Sequence, residues 1–411
     1  MVYLMQSPPS VRTTIDGKEY LYFSGTGYLG LHGHPRLVTA AIRATEQYGL
    51  GSATSRVRYG TTPPMAEVEQ QAAKFFGTED AFYFPTGYLG SSVLVKAIAD
   101  TFDLIVCDES IHYSSQDAAM LSGKPIVTFR SRDPEHLDEV LQEHAGPKKV
   151  AAGEAVRPLV LVDGVFPVQG KISPVREYVE VLCKYPGSAL SVDDAHALGV
   201  LGERGRGSYE HAGIDLSQVN TGRPSCLNFG VDPNSAGGTS VESKTTQEGP
   251  RLFVCGTMSK AFGGYGGIVF GSKEFIEHVK QTSSYFRGAS ALPPAAPAAT
   301  AEALKMVGED PTILQRLREN VDRARDGLRK LGLTVESTPV PVICLELGTA
   351  DEMRRVQSTL MERGILISYN AAYSDLGPEG ALRIAIFATH TPEMIDLFVE
   401  ELGKACGCSG A

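Results

Sequence analysis

Lys260 stands in the segment Gly256-Thr-Met-Ser-Lys-Ala-Phe-Gly-Gly-Tyr-Gly-Gly267, directly after the apolar run Leu252-Phe-Val-Cys255. A lysine among small residues at the end of an apolar strand is poorly placed as a solvated surface charge. Desolvation there would weaken its hold on its proton and leave an amine able to form a Schiff base with a carbonyl. Asp193 and His196 stand three apart in Ser191-Val-Asp-Asp-Ala-His-Ala-Leu-Gly199, again after an apolar run. A carboxylate at a neighbouring strand end could pair with a protonated ring nitrogen and keep that ring an electron sink. Glycines on both sides of Lys260 let the backbone approach a ligand closely. Spacing alone leaves a structural lysine paired with Asp193 or Asp163 equally open. The glycines at 263–267 are no dinucleotide fingerprint, because the lysine precedes them and no G-x-G-x-x-G opens a helix there. Thr86-Gly87-Tyr88, after the aromatic run Phe82-Tyr-Phe84, could start a helix whose amides bind a phosphate. Thr-Gly pairs mostly mark ordinary turns, so that signal is weak on its own.

The elements that must position these residues repeat one pattern: a short apolar run, a polar turn, then a helical stretch. Phe102–Cys107 ends at Asp108-Glu109, Pro158–Val162 at Asp163-Gly164, Ala189–Val192 at Asp193-Asp194, and Leu252–Cys255 at Gly256-Thr257. Continuous apolar runs of this length suit buried parallel strands of an α/β sheet, whose ligands collect beyond the carboxyl ends of the strands. Residues 215–250 are rich in Gly, Ser, Thr, Asn and Pro and lack periodicity. They read as an insertion loop, with disorder and a binding lid both open. After Leu292-Pro-Pro294 the texture changes. Residues 311–331 carry apolar positions at helical spacing, Val340–Leu347 and Leu382–Phe387 read as strands, and Pro392–Lys404 as a closing helix. The expected organisation is an N-terminal segment 1–50, a large α/β domain 51–293 and a small α+β domain 294–411.

Composition sets outer bounds. The 411 residues are 42% hydrophobic and 21% charged, with no apolar run long enough to span a bilayer, so a globular chain with a large core is expected. A net charge of −10 argues against nucleic acid or an anionic membrane as the main partner, while leaving room for a local basic pocket. Seven cysteines at irregular intervals, with no CxxC pair, read as reduced thiols. Cys406-Gly-Cys408 has no nearby histidine, so no metal site is expected. MVYLMQSPPS has no charged region followed by an apolar stretch, and a cytoplasmic location is the default.

Together the segments resemble the α-oxoamine synthase family of fold type I pyridoxal 5′-phosphate (PLP) enzymes, whose members include 8-amino-7-oxononanoate synthase and serine palmitoyltransferase. The likeness is carried by Tyr28-Leu-Gly-Leu31, Gly51-Ser-Ala-Thr-Ser-Arg56, Gly60-Thr-Thr-Pro63, Asp108-Glu-Ser-Ile-His112, Asp163-Gly-Val-Phe166 and Asp193-Asp-Ala-His196. It continues through Gly199-Val-Leu-Gly202, Gly205-Arg-Gly207, Thr257-Met-Ser-Lys260, Ala291-Leu-Pro-Pro294 and Leu382-Arg-Ile384. The resemblance implies a mostly parallel sheet in a large PLP-binding domain and a smaller α+β C-terminal domain. It implies that Lys260 forms the Schiff base with PLP and moves protons at the α-carbon. Asp193 would bond the pyridine nitrogen, His196 would sit by the phenolic oxygen and His112 would stack on the ring. The turn Thr86-Gly87-Tyr88, the Thr257 hydroxyl and Ser290 from a second subunit would hold the phosphate. Arg383 matches an arginine near the mouth of the site, although a structural role is equally open. A homodimer with shared active sites is implied.

Three departures concern substrate and cofactor. Thr26 stands where the family has an asparagine for the amino-acid carboxylate, Ala371 where it has a mobile-loop arginine, and Pro167 where it has a serine for the ring oxygen. Arg56, Arg58 or Arg287 could compensate. The leading expectation is a PLP-dependent acyltransferase that condenses an amino acid with an acyl thioester (acyl-CoA or acyl-carrier protein) to an aminoketone. The alternative is another fold type I reaction (aminotransfer, decarboxylation or retro-aldol cleavage) on an amine lacking the usual carboxylate recognition. A third reading is a non-catalytic partner subunit, but such a subunit would be expected to lose the lysine.

Overall fold

The computed structural model describes residues 3–146, 153, 155–225, 248–371 and 376–407. The four apolar runs are neighbouring central strands: β4 (Leu104–Asp108), β6 (Pro158–Asp163), β7 (Ala189–Asp193) and β8 (Arg251–Thr257). With β3 (Asp80–Phe84), β5 (Ile126–Phe129) and β9 (Gly267–Gly271) they form a seven-stranded sheet in the order β3-β9-β8-β7-β6-β4-β5. β9 runs antiparallel to both neighbours, and the other pairings are parallel.

Successive residues of a strand point to opposite faces, so a strand covered on both sides must be apolar throughout. That is why these runs do not alternate. Val160 and Val162 of β6 enter one apolar cluster, while Leu159 and Leu161 enter the cluster on the other face. Each such side chain contributes roughly 1.5–3 kcal/mol on leaving water.

Register converts this packing into chemistry. Asp163 pairs with Asp193 across β6–β7, and Asp193 with Cys255 across β7–β8. The polar residues ending each run therefore form one row along the carboxyl edge, with Lys260 in the turn after β8.

Beyond residue 294, β10 (Val342–Leu345), β12 (Ser368–Asn370) and β13 (Ala381–Ala385) make an antiparallel sheet in the order β10-β13-β12. The expected helices are Thr312–Lys330 and Pro392–Cys406. The N-terminal hairpin of β1 (Arg12–Ile15) and β2 (Lys18–Tyr22) joins β11 (Ile365–Leu366), and Phe23 stacks on His390 and Phe398 at 4.1 and 4.3 Å. The start of the chain thus packs on its C-terminal region, burying the aromatic face that Phe23 would otherwise expose.

Of the 215–250 stretch, residues 226–247 lie outside the described residues. Residues 215–225 are sewn onto the sheet: Asn220, at φ +52°, donates to the carbonyls of Val254 and Phe270 and accepts from the amide of Val254. The polar composition that suggested a free loop serves here to satisfy β8 and β9. Among the described residues no helix is long and apolar enough to cross a membrane. No cluster of three or more His, Cys, Asp and Glu among them could hold a metal ion. Cys408 of the Cys406-Gly-Cys408 pair is outside the described residues.

Candidate active site

A cavity of about 310 Å³ opens at the carboxyl edge of the sheet. Its wall brings together Thr86, Gly87, Tyr88, His112, Asp193 and His196, and also Thr257 and Lys260. These residues come from four separate turns.

At its base, Nζ of Lys260 lies 2.8 Å from Nε2 of His196. Burial lowers the Lys260 ammonium to about 8, against the opposing pull of Asp193 and Asp163. Burial also pushes His196 well below its ordinary range, with the charges of Lys260 and Arg383 acting in the same direction. His196 is therefore neutral near pH 7. Its Nδ1 lies 2.7 Å from the hydroxyl of Tyr28, and that hydroxyl is 3.2 Å from Nη2 of Arg383. Arginine can only donate, so the tyrosine oxygen accepts from Arg383 and its proton goes to Nδ1. When the Lys260 amine is neutral, the remaining histidine proton then sits on Nε2, facing it. The sequence marks Tyr28 only as the first residue of Tyr28-Leu-Gly-Leu31; its full burial and its contact with the strand-end histidine come from the fold.

Two carboxyls face the cavity side by side. Burial raises Asp163 well above the carboxylate range, and the neighbouring charge of Asp193 raises it further. Asp163 Oδ2 accepts the His112 amide at 3.1 Å, while its Oδ1 has no protein partner. Burial raises Asp193 too, but Lys260, the Ala195 amide (3.0 Å) and His112 hold it down. Asp163 is thus the protonated member and Asp193 the carboxylate that faces Lys260. His112 caps the helix Tyr113–Leu121, its Nδ1 lying 2.8 Å from Oγ of Ser114, and its ring stands edge-on to Tyr88.

Another part of the wall is a cradle of small groups. Thr86 caps the turn Gly87–Leu89, which runs into the helix Gly90–Ala97. A Cβ on Gly87 would stand 2.4 Å from that of Thr257 and 2.6 Å from its Oγ1, so only glycine permits this approach. Thr257 Oγ1 donates to the Gly266 carbonyl and accepts the Ser259 amide.

Other expected residues lie elsewhere. Ser290 is not on the cavity wall and instead bridges to Ser55. Thr26 is half-buried outside the lining set. Arg383 stands behind the wall, with Nε, Nη1 and Nη2 donating to Pro167 O, Gly25 O and Tyr28 Oη. The compensating arginines do not reach the cavity. Arg56 is buried against Glu69 at 2.7 and 3.0 Å, and Arg58 and Arg287 are exposed away from it. Ala371 is exposed and Pro167 lines the cavity.

The sequence matches the family model of aminotransferase class I and II over residues 19–402. The 8-amino-7-oxononanoate synthase of Methylococcus capsulatus is 32% identical over 402 residues, 98% of this chain and 93% of that protein. That of Thermoanaerobacter pseudethanolicus is 32% identical over 406 residues, with 98% and 92% covered. Among solved structures, Sphingomonas wittichii serine palmitoyltransferase superposes with a TM-score of 0.83 at 25% identity, over 98% of this chain and 92% of that one. An SPT solved with PLP gives 0.82 at 25% identity with the same coverage.

Proposed function

The chain belongs to the class I and II aminotransferase family, in its α-oxoamine synthase branch, and from that premise we propose that it condenses an amino acid with an acyl thioester to an aminoketone, using PLP held by Lys260. The observation that carries the reading is the approach of Lys260 to neutral His196 at 2.8 Å, with the Asp193 carboxylate facing the same space.

The residues present fit the cofactor. The buried Asp193 carboxylate suits a protonated ring nitrogen. The Gly87–Thr257 approach leaves a cradle beside a helix start that suits a phosphate. The Nε2 proton of His196 suits a phenolic oxygen, and the His112 ring lies on the wall where a flat ring would stack. PLP, when bound, withdraws electrons from the substrate's α-carbon and stabilises the negative charge that develops there.

This chain's residues supply the rest. The free Lys260 amine would take or return the proton at the α-carbon, which its lowered affinity for protons near pH 8 allows. The acyl carbon accepts the electron pair from the α-carbon, and the thiolate leaves with the electrons of the carbon–sulfur bond.

Ser290 lies at the chain surface beside Ser55, outside the cavity of its own subunit, which supports a homodimer in which it serves the partner's phosphate site. None of the described cysteines is in a disulfide, in keeping with a cytoplasmic setting.

One observation favours a second reading. The three nitrogens of Arg383 already donate to protein acceptors and no arginine among the described residues of this chain lines the cavity, which favours an amine without the usual carboxylate. Thiol release decides between the readings. The PLP-loaded protein should release free thiol from an acyl thioester only when an amino acid is present, and Lys260→Ala should abolish this. Transfer of the amino group or loss of CO₂ without thiol release would establish the second reading.

A further inference from the structure

A second cavity, of about 620 Å³, shares no lining residue with that of Lys260. It lies where the helices Pro63–Phe76, Ala295–Glu309 and Thr312–Lys330 meet the turn at residues 203–206. Its floor is apolar, formed by the buried side chains Phe75, Leu304, Val307 and Leu314. Its wall is cationic. Lys74, Arg204 and Arg206 line it, and the side chains of all three lack a carboxylate within ion-pair distance among the described residues. Nε of Arg206 is buried without an acceptor. Desolvation lowers the affinity of Arg206 for its proton; Glu210 opposes this through its charge and Arg204 adds to it.

The remaining charges do not cancel the excess. Lys305 pairs with Glu67 at 2.7 Å, and Arg318 donates to the carbonyls of Gly202 and Glu203. Only Glu203 and Glu309 bring carboxylates to the wall, and Glu309 lies 3.9 Å from Arg36. Five cations thus line the wall with two carboxylates; Glu67 offsets Lys305 and Glu210 lies against the Arg204–Arg206 turn, which leaves a small cationic excess over an apolar floor, in a chain whose formal net charge is −10. A concentration of positive charge against the sign of the whole molecule attracts anions locally, and the concave floor requires an apolar body to fill it.

We propose that this cavity binds a small amphipathic anion, its apolar body on Phe75, Leu304, Val307 and Leu314 and its anionic head among Lys74, Arg204 and Arg206. The site is in mechanical contact with the Lys260 turn. Phe75 meets Phe262 edge-on, with ring centroids 5.4 Å apart at 90°, and Phe262 follows Lys260 by two residues. On the other side Leu314 abuts Gly205, whose carbonyl accepts the Gly199 amide at 2.7 Å, and Gly199 packs against Ala261. A ligand that displaces Phe75 or Leu314 therefore presses on both sides of the segment following the lysine.

The test uses the PLP-loaded protein titrated by calorimetry with octyl phosphate, and with inorganic phosphate as a charge without an apolar body. Saturable binding of octyl phosphate is expected, about tenfold or more tighter than inorganic phosphate. In Lys74→Glu/Arg204→Glu it should weaken by about tenfold or more. Both substituted residues are exposed, and an unchanged melting temperature checks that the fold is kept. Absence of saturable binding, equal affinity for the two probes, binding untouched by the double substitution, or competition with PLP would each overturn the site. In the same titration the visible absorption of the bound cofactor should shift at saturation, and a constant spectrum would overturn the link to Lys260.

Discussion

The Nζ of Lys260 and Nε2 of His196 are 2.8 Å apart, and burial drives both groups toward their neutral forms. A neutral amine is the nucleophile, so this contact governs how readily the lysine captures a carbonyl.

Capture should therefore follow the lowered pKa. Below about 8 the Lys260 amine is protonated and inert; above it the amine is free, so the capture rate should rise through pH 8 and then level off. An ordinary lysine would still be gaining reactivity at pH 10. Reductive trapping of PLP with borohydride on the cofactor-free protein, followed across pH 6–10, measures this. A midpoint near 10.5 would show that the amine is not desolvated.

Tyr28→Phe should move that midpoint upward. The Tyr28 hydroxyl directs the histidine proton to Nε2, where it can donate to the neutral amine but repels an ammonium. Without it His196 is free to turn a lone pair toward Lys260, which favours the ammonium. One hydrogen bond of about 1 kcal/mol corresponds to a shift of roughly 0.7 unit. Nitrogen-15 NMR of the histidine ring should show the proton leaving Nε2 in the variant, whereas a merely structural tyrosine would leave the tautomer unchanged.

Asp193→Asn should loosen the cofactor more than it loosens the fold. An amide keeps the shape and can still accept the Ala195 amide, but it cannot balance a charged ring nitrogen. It also relieves a desolvated carboxylate, so melting of the cofactor-free protein should be unchanged or slightly raised, while PLP retention on dialysis falls by about tenfold or more. Equal loss in both measurements would make Asp193 a structural group.

The large sheet was legible because each run is buried on both faces, so the apolar code of β4, β6, β7 and β8 is nearly uninterrupted. The row of strand-end residues followed, because Asp163, Asp193 and Lys260 each terminate such a run. What stayed hidden depends on distant pairing. β9 was masked by the glycines that flank it, and β11 meets β2 across 344 residues, Ile365 opposite Leu21, with only two residues in the ladder. Arg56 illustrates the same limit at the site. Its sequence neighbourhood suggested substrate contact, but its partner Glu69 lies one helix later and could be identified only once that helix was placed.

Removing one partner of the Arg56–Glu69 pair should be costly. Both side chains are buried, Arg56 also donates to the Tyr83 carbonyl, and Glu69 accepts the Tyr83 amide. Arg56→Met would leave the buried Glu69 carboxylate with Lys280, at 3.7 Å, as its remaining cation among the described residues, costing up to about 3–5 kcal/mol, whereas Arg56→Met/Glu69→Leu should recover most of that loss. Denaturant unfolding of the two variants tests the difference, and a double variant as unstable as the single would assign the stability to the backbone contacts instead.

Gly87→Ala should separate the cofactor cradle from the rest of the cavity. The added methyl would lie 2.4 Å from the Thr257 Cβ and 2.6 Å from its hydroxyl, well inside contact distance. Gly87 sits in the turn capped by Thr86, and Thr257 ends the central strand β8, so the turn yields more easily than the strand. Overpacking of this kind costs roughly 1–3 kcal/mol. If the turn moves outward, the cost appears as weakened binding of any group held between Gly87 and Thr257, about tenfold or more in PLP affinity. The Lys260–His196 contact involves neither Gly87 nor the Thr257 side chain and should be unaffected. Pyridoxal without its phosphate should then be captured by the variant and the parent at the same rate and with the same pH midpoint near 8. Equal loss of pyridoxal and PLP capture would show instead that the whole carboxyl edge had shifted and that no separate phosphate cradle exists.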